Sequence, residues 1–141
     1  MADLSITAAQ VLSEDPVGTE NMTNTKTGLA TEAITTGQAC YMDSNDVSLS
    51  KNDGTTAQAA FKGIALNTAG AGQPVTLKTD NRLTLGAGAS PTLAETYAVS
   101  STAGGICPIA DVLTGDAVII IGLGCGTDGI DIGATSGYSF A

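Results

Sequence analysis

Residues 37–54, GQACYMDSNDVSLSKNDG, contain the pattern that decides the fold class. Gly37 to Met42 is predicted to form a strand, and the polar run Asp43 to Asp46 follows it as a turn. Val47 to Ser50 then alternates apolar and polar side chains, as a half-buried strand does. Asn52 to Gly54 supplies residue types that tolerate positive φ. Strand, turn, strand and turn in this order predict a β-meander.

The same spacing recurs further along the chain. Short apolar runs, most of them rich in β-branched residues, appear at intervals of about ten residues with turn-forming residues between them. These further predicted strands are Phe61 to Leu66, Pro74 to Thr79, Leu83 to Leu85, Tyr97 to Val99, Ile106 to Ile109, Val118 to Ile121 and Ile130 to Ile132. The chain is also rich in Thr and has 18 Gly, while only 13% of its residues are charged, which favours strands and turns over helices. We therefore predict an all-β protein, a short-stranded β-barrel or sandwich with almost no helix.

The N-terminal part differs in composition from the rest. Leu4 to Thr7 alternates as a strand does, whereas Ser13 to Glu32 is polar and almost without large apolar residues. Such a segment cannot bury enough surface to fold alone. We therefore predict an N-terminal strand and extended arm over residues 1–32 and a single β-rich domain over residues 33–141. Leu4 and Ile6 are candidates for docking on a neighbouring protomer or partner, and the alternative is that they fold back onto their own domain.

The apolar run near the C-terminus is a second candidate interface. A strand with one solvent-exposed face should alternate apolar and polar residues, but the run Val118, Ile119, Ile120 and Ile121 is apolar throughout. Both faces of this run are therefore expected to be covered. The cover is either the protein's own core or another subunit, and the sequence leaves both open.

Charge and hydropathy exclude several classes of partner. The net charge is −9, and no basic residue follows Arg82, so we expect no nucleic-acid partner. The run Ala117 to Cys125 is far too short for a bilayer span, which predicts no membrane partner. Residues 1–12 do not resemble an export signal, and the three cysteines have no C-x-x-C spacing. These features predict synthesis in a reducing cytoplasm with cysteines as small buried residues.

The side chains that usually carry catalysis are scarce. The chain has no His, the commonest general base and transition-metal ligand, so we expect no catalytic site and no enzymatic activity. Asp43 to Asp46 and Asp128 to Asp131 offer oxygen ligands, but they fit hairpin turns better than a calcium loop. Gly122, Gly124 and Gly126 follow an apolar strand without the lysine of a phosphate loop. We expect neither a metal nor a cofactor.

Several blocks of strand and turn residues follow one another in a familiar order. The blocks are Ala2 to Ala9, Ile34 to Tyr41, Gly63 to Asn67 with Gly72 to Val75, Tyr97 to Ser100 with Gly104 to Pro108, and Gly115-Asp116. In this order they resemble the head decoration, or capsid cement, proteins of tailed bacteriophages. One departure is Asp80-Asn81-Arg82, where the family pattern leads us to expect a simple glycine turn.

The resemblance implies a function. Such proteins are β-rich, with a β-tulip-like fold, often trimeric, and bound to the outer surface of the capsid. It therefore implies a virion protein, made in the host bacterial cytoplasm, whose partners are the major capsid protein and further copies of itself, with a trimer favoured. The alternatives are a phage tail or baseplate structural protein, and a small β-sandwich module that binds a host surface or carbohydrate. The scarcity of aromatic residues, 4% of the chain, counts against carbohydrate binding.

Overall fold

The protein is almost entirely β-structure. The computed structural model describes residues 3–6, 8, 11–13, 25–54, 58–86, 89, 91–126 and 129–133. This part of the chain is 42% strand and 4% helix, which confirms the all-β prediction. The strands are β1 (Leu12–Ser13), β2 (Thr25–Ala30), β3 (Ala39–Asp43), β4 (Asp46–Leu49), β5 (Gly63–Ala65), β6 (Pro74–Lys78), β7 (Asn81–Thr84), β8 (Thr96–Val99), β9 (Ile106–Pro108), β10 (Ile120–Gly124) and β11 (Gly129–Ile132). A short 3₁₀ helix spans Ile109–Asp111.

Five of the strands close into a barrel in the order β2-β4-β3-β5-β6. Neighbouring strands are antiparallel except β2 and β4, which are parallel. Side chains alternate across the barrel wall because successive residues of a strand point to opposite faces. The buried cluster associated with the barrel comprises Ala30, Ile34, Cys40, Val47, Ala65, Ala69, Val75 and Leu77.

The second layer is an antiparallel sheet in the order β1-β7-β11-β10-β8-β9. Its core includes residues of the barrel strands: Ala39 and Ile64 belong to this second cluster, whereas their neighbours Cys40 and Ala65 belong to the first. The barrel wall therefore serves two cores, one on each of its faces. The second core comprises Val11, Ala39, Ile64, Leu83, Leu85, Ala89, Tyr97, Val99, Ile106, Ile121, Ile130 and Ile132.

The chain passes from the barrel to the sheet at Asp80-Asn81, between β6 and β7. Asn81 has φ of 67°, and its backbone N–H donates to Asp80 Oδ1 at 2.9 Å. Asparagine is one of the few residues other than glycine that adopt this left-handed conformation readily. The asparagine therefore provides the conformation for which a glycine was expected from the family pattern.

The N-terminal boundary needs correction, because β2 (Thr25–Ala30) is a barrel strand and not part of an arm. It pairs with both β4 and β6, so the β-rich domain includes residues well before 33. The inward side chains of β2 are small: Gly28 and Ala30 are buried. A Cβ at Gly28 would meet the Asn45 carbonyl and the Val47 side chain, so a larger residue does not fit there. Because the buried residues of this strand are only glycine and alanine, the sequence lacks the large apolar residues from which a strand is predicted.

Candidate interaction surface

The run Val118 to Ile121 has one buried and one exposed face in this structure. Ile121 is 1% exposed and Ile119 packs against the core of the second sheet, whereas Val118 is 60% and Ile120 is 44% exposed. Strand β10 begins only at Ile120, and its pairing with β8 is irregular between Ile120 and Gly122. Ile119 and Ile121 therefore belong to the protein's own core. Val118 and Ile120 are the members of the run that remain available to a neighbour.

A buried asparagine holds this run in place. The Ala117 N–H donates to the carbonyl of Asn52 at 3.0 Å, and the Val99 N–H donates to the carbonyl of Ile119 at 2.9 Å. Asn52 is 4% exposed, and its Nδ2 donates to the carbonyl of Val99 at 2.9 Å. The loop after β4 and the end of β8 thus fix the segment from both sides. A surface ordered in advance loses less entropy when it binds.

Exposed apolar residues are concentrated near this run. The described part of the chain has five large apolar residues that are exposed: Leu29, Leu93, Leu113, Val118 and Ile120. Three of them lie between residues 113 and 120, which we call the apolar segment. Single exposed apolar residues are normal on protein surfaces, whereas contiguous apolar patches mark interaction sites, so three exposed residues within eight positions make this segment a candidate. Leu113 was not among the residues predicted from the sequence to form an interface, although a leucine between the two aspartates Asp111 and Asp116 was a usable signal.

The other predicted interface residues, Leu4 and Ile6, contact their own domain. The Leu4 N–H donates to the carbonyl of Ile106 at 2.8 Å, along the open edge of β9. Both side chains are partly buried against the core of the second sheet, and Ile6 lies over Gly37. Residues 3–6 form no strand, and Thr7 lies outside the described residues. In the structure, this segment therefore folds back onto its own domain.

A small cleft lies beside the N-terminal segment. Its volume is about 290 Å³, and its lining includes Asp3, Ser100, Cys107 and Asp111. Ser100 Oγ donates to Asp3 Oδ2 at 2.9 Å, so this carboxylate anchors the N-terminal segment to the end of β8. Within the described ranges, no group of three or more His, Cys, Asp or Glu residues could hold a metal ion. Asp128, which begins the predicted turn Asp128 to Asp131, lies outside those ranges.

Two cysteines are buried and have raised pKa values. Burial, followed by the nearby charge of Glu32, raises the pKa of Cys40 to about 12. Burial and the carboxylates of Asp3 and Asp111 raise the pKa of Cys107 to about 11. The thiolate is the nucleophilic form of cysteine, so neither residue is suited to covalent or redox chemistry at neutral pH.

Thiol labelling tests this assignment. With a pKa of about 12, Cys40 holds about one part in ten thousand of thiolate at pH 8. We expect iodoacetamide to modify the partly exposed Cys125 in the folded protein, and to modify Cys40 and Cys107 only after unfolding in urea. Peptide mass spectrometry reports each site separately. Equal labelling rates at all three cysteines in the folded protein would contradict the assignment.

Within the ranges that the structure describes, no helix has the length and apolar character needed to cross a bilayer. In comparisons with known proteins, no family model matches the chain, and no curated protein sequence is significantly similar to it.

Proposed function

We propose that this chain is a viral structural protein, a capsid cement protein that binds the outer surface of a tailed-phage head. In this proposal it stabilises the expanded capsid by bridging subunits of the major capsid protein. The observation that carries the proposal is the ordered, exposed pair Val118 and Ile120, which gives the protein an apolar contact surface. The order of sequence blocks described above, which resembles that of capsid cement proteins, is the reason for proposing the major capsid protein as the partner.

Self-association would make weak contacts sufficient for this role. If the chain is a trimer, docking of one protomer brings the others to their sites at an effective concentration on the order of millimolar. The apolar segment supports such an assembly because closed symmetry would cover its exposed side chains. In this proposal the segment is the contact between protomers, and capsid binding depends on it through the multivalency of the trimer. The net charge of −9 fits a surface exposed to solvent better than one that faces packaged DNA.

The proposal predicts that the protein protects capsids from heat. Purified protein is expected to bind expanded capsids that lack it and to raise their melting temperature, because a ligand of the assembled state stabilises that state by mass action. At a free concentration 100 times the dissociation constant, the stabilisation is about 2.7 kcal/mol per site. Differential scanning calorimetry with co-sedimentation measures both effects.

Two controls make the result specific. An unrelated acidic protein at equal concentration is expected to leave the melting temperature unchanged, and unexpanded capsids are expected to bind less. If depleted capsids melt at one temperature with and without the protein, the cement function is wrong.

A further inference from the structure

A row of exposed side chains crosses the outer face of the barrel. In the strand register, Leu29 of β2 lies opposite Pro74 of β6 on one side and Asp46 of β4 on the other. Asp46 in turn lies opposite Asp43 of β3. Their neighbours Ala30 and Val47 are buried in the barrel, so the row points outward. We call these four residues, Pro74, Leu29, Asp46 and Asp43, the Leu29 row.

The row is solvent-exposed at every position. Leu29 is 48% exposed, and the other three residues are exposed as well. The hydroxyl groups beside the row bond to one another, since Thr27 Oγ1 lies 2.9 Å from Thr76 Oγ1 and Thr31 Oγ1 lies 2.6 Å from Ser48 Oγ. Burial of this face by a partner would therefore not leave these hydroxyl groups without hydrogen bonds.

The charges of the row are of one sign. Asp43 and Asp46 occupy directly opposite positions, and like charges at such positions destabilise a sheet. In the part of the chain that the structure describes, neither carboxylate forms an ion pair. The side chain of Lys26, the basic residue of β2, lies on the opposite face of the strand from that of Leu29. The protein thus keeps a repulsive pair of carboxylates next to an exposed leucine.

We infer that the Leu29 row is a docking surface for a protein segment that presents an apolar side chain flanked by lysine or arginine. The apolar side chain would pack on Leu29 and Pro74, and the cations would neutralise Asp43 and Asp46. Charge complementarity selects this partner, because a second acidic copy of the chain would add to the repulsion. The inference goes beyond the proposed function, since it concerns a barrel face separate from the apolar segment and stands whether or not the partner is a capsid.

Peptide titration followed by NMR tests the inference. The probe is a synthetic peptide with alternating lysine and leucine, and its control replaces each lysine by serine. We expect the lysine peptide to shift the amide signals of Leu29, Asp43 and Asp46, and the serine peptide to leave them unchanged. Shifts spread evenly over the acidic surface, or equal effects of the two peptides, would overturn the inference.

Variants identify the groups responsible. The double variant Asp43→Asn/Asp46→Asn is expected to weaken lysine-peptide binding about tenfold and to raise the melting temperature of the free protein, because it removes the repulsive pair. The control Asp53→Asn/Glu95→Gln removes the same charge outside both the Leu29 row and the apolar segment, and is expected to change binding less than twofold. Leu29→Ser should weaken binding, whereas Leu93→Ser, at a leucine that is 71% exposed, should not. Equal losses in each variant and its control would refute the proposed site.

Discussion

Replacing both Val118 and Ile120 by aspartate is expected to convert the protein into a 13.9 kDa protomer and to abolish capsid binding. Each aspartate would place a charge in an apolar contact, where it has neither water nor a counter-ion. Both side chains point to solvent in the isolated chain, so the protomer should keep its fold. Light scattering at micromolar concentration and far-ultraviolet circular dichroism measure the two properties.

The control is Leu93→Asp, because Leu93 is also an exposed apolar residue but lies outside the apolar segment. This variant should retain the mass and the capsid affinity of the parent protein. If the parent itself scatters as a 13.9 kDa species, the predicted oligomer does not exist. If the double variant still has the parent's mass and capsid affinity, the apolar segment is not the contact between protomers.

The second large effect is expected for Val11→Asp, which should lower the free energy of unfolding by about 3–5 kcal/mol. Val11 is 8% exposed and belongs to the core of the second sheet, together with Leu83 and Ile106. A carboxylate at this position would be buried without a partner. Urea titration monitored by circular dichroism measures the change.

Ser5→Asp is the control for the same segment, since Ser5 is exposed, and it should change stability by less than about 0.5 kcal/mol. The measurement also separates fold-back from docking on a neighbour. Loss of stability that is independent of protein concentration indicates contact within one chain. Loss that appears only at concentrations where the protein self-associates would show that the N-terminal segment docks on a neighbouring protomer.

Strands with strong local signals were predictable from the sequence. The β3–β4 hairpin, β6 and β8 all lie where alternation and turn residues predicted them, because their apolar residues are large and their turns contain Asp, Asn or Gly. Strand β2 was not predictable, since Gly28 and Ala30 supply its buried side and carry almost no hydropathy signal. Closure into a barrel depends on pairing between distant strands, which local patterns do not encode.

The candidate site was predictable only in part. The sequence identified the run Val118 to Ile121, but four consecutive β-branched residues cannot reveal which two face the solvent. The irregular pairing near Ile120 and the hydrogen bond from Ala117 to Asn52 accompany the observed orientation, and both involve residues far away in the chain. The fold-back of Leu4 likewise depends on Ile106, about a hundred positions later in the sequence.

The order of strand pairing has a consequence for folding during synthesis. Strand β1 pairs with β7, Leu12 opposite Thr84, and β2 pairs with β6, Thr25 opposite Lys78. At a synthesis rate of about 5–20 residues per second, the N-terminal strands remain without these partners for roughly several seconds. Contacts between such distant residues also make folding slow, on a scale of about milliseconds to seconds. A nascent segment that waits this long must not aggregate, and the polar composition of residues 13–32 suits that requirement.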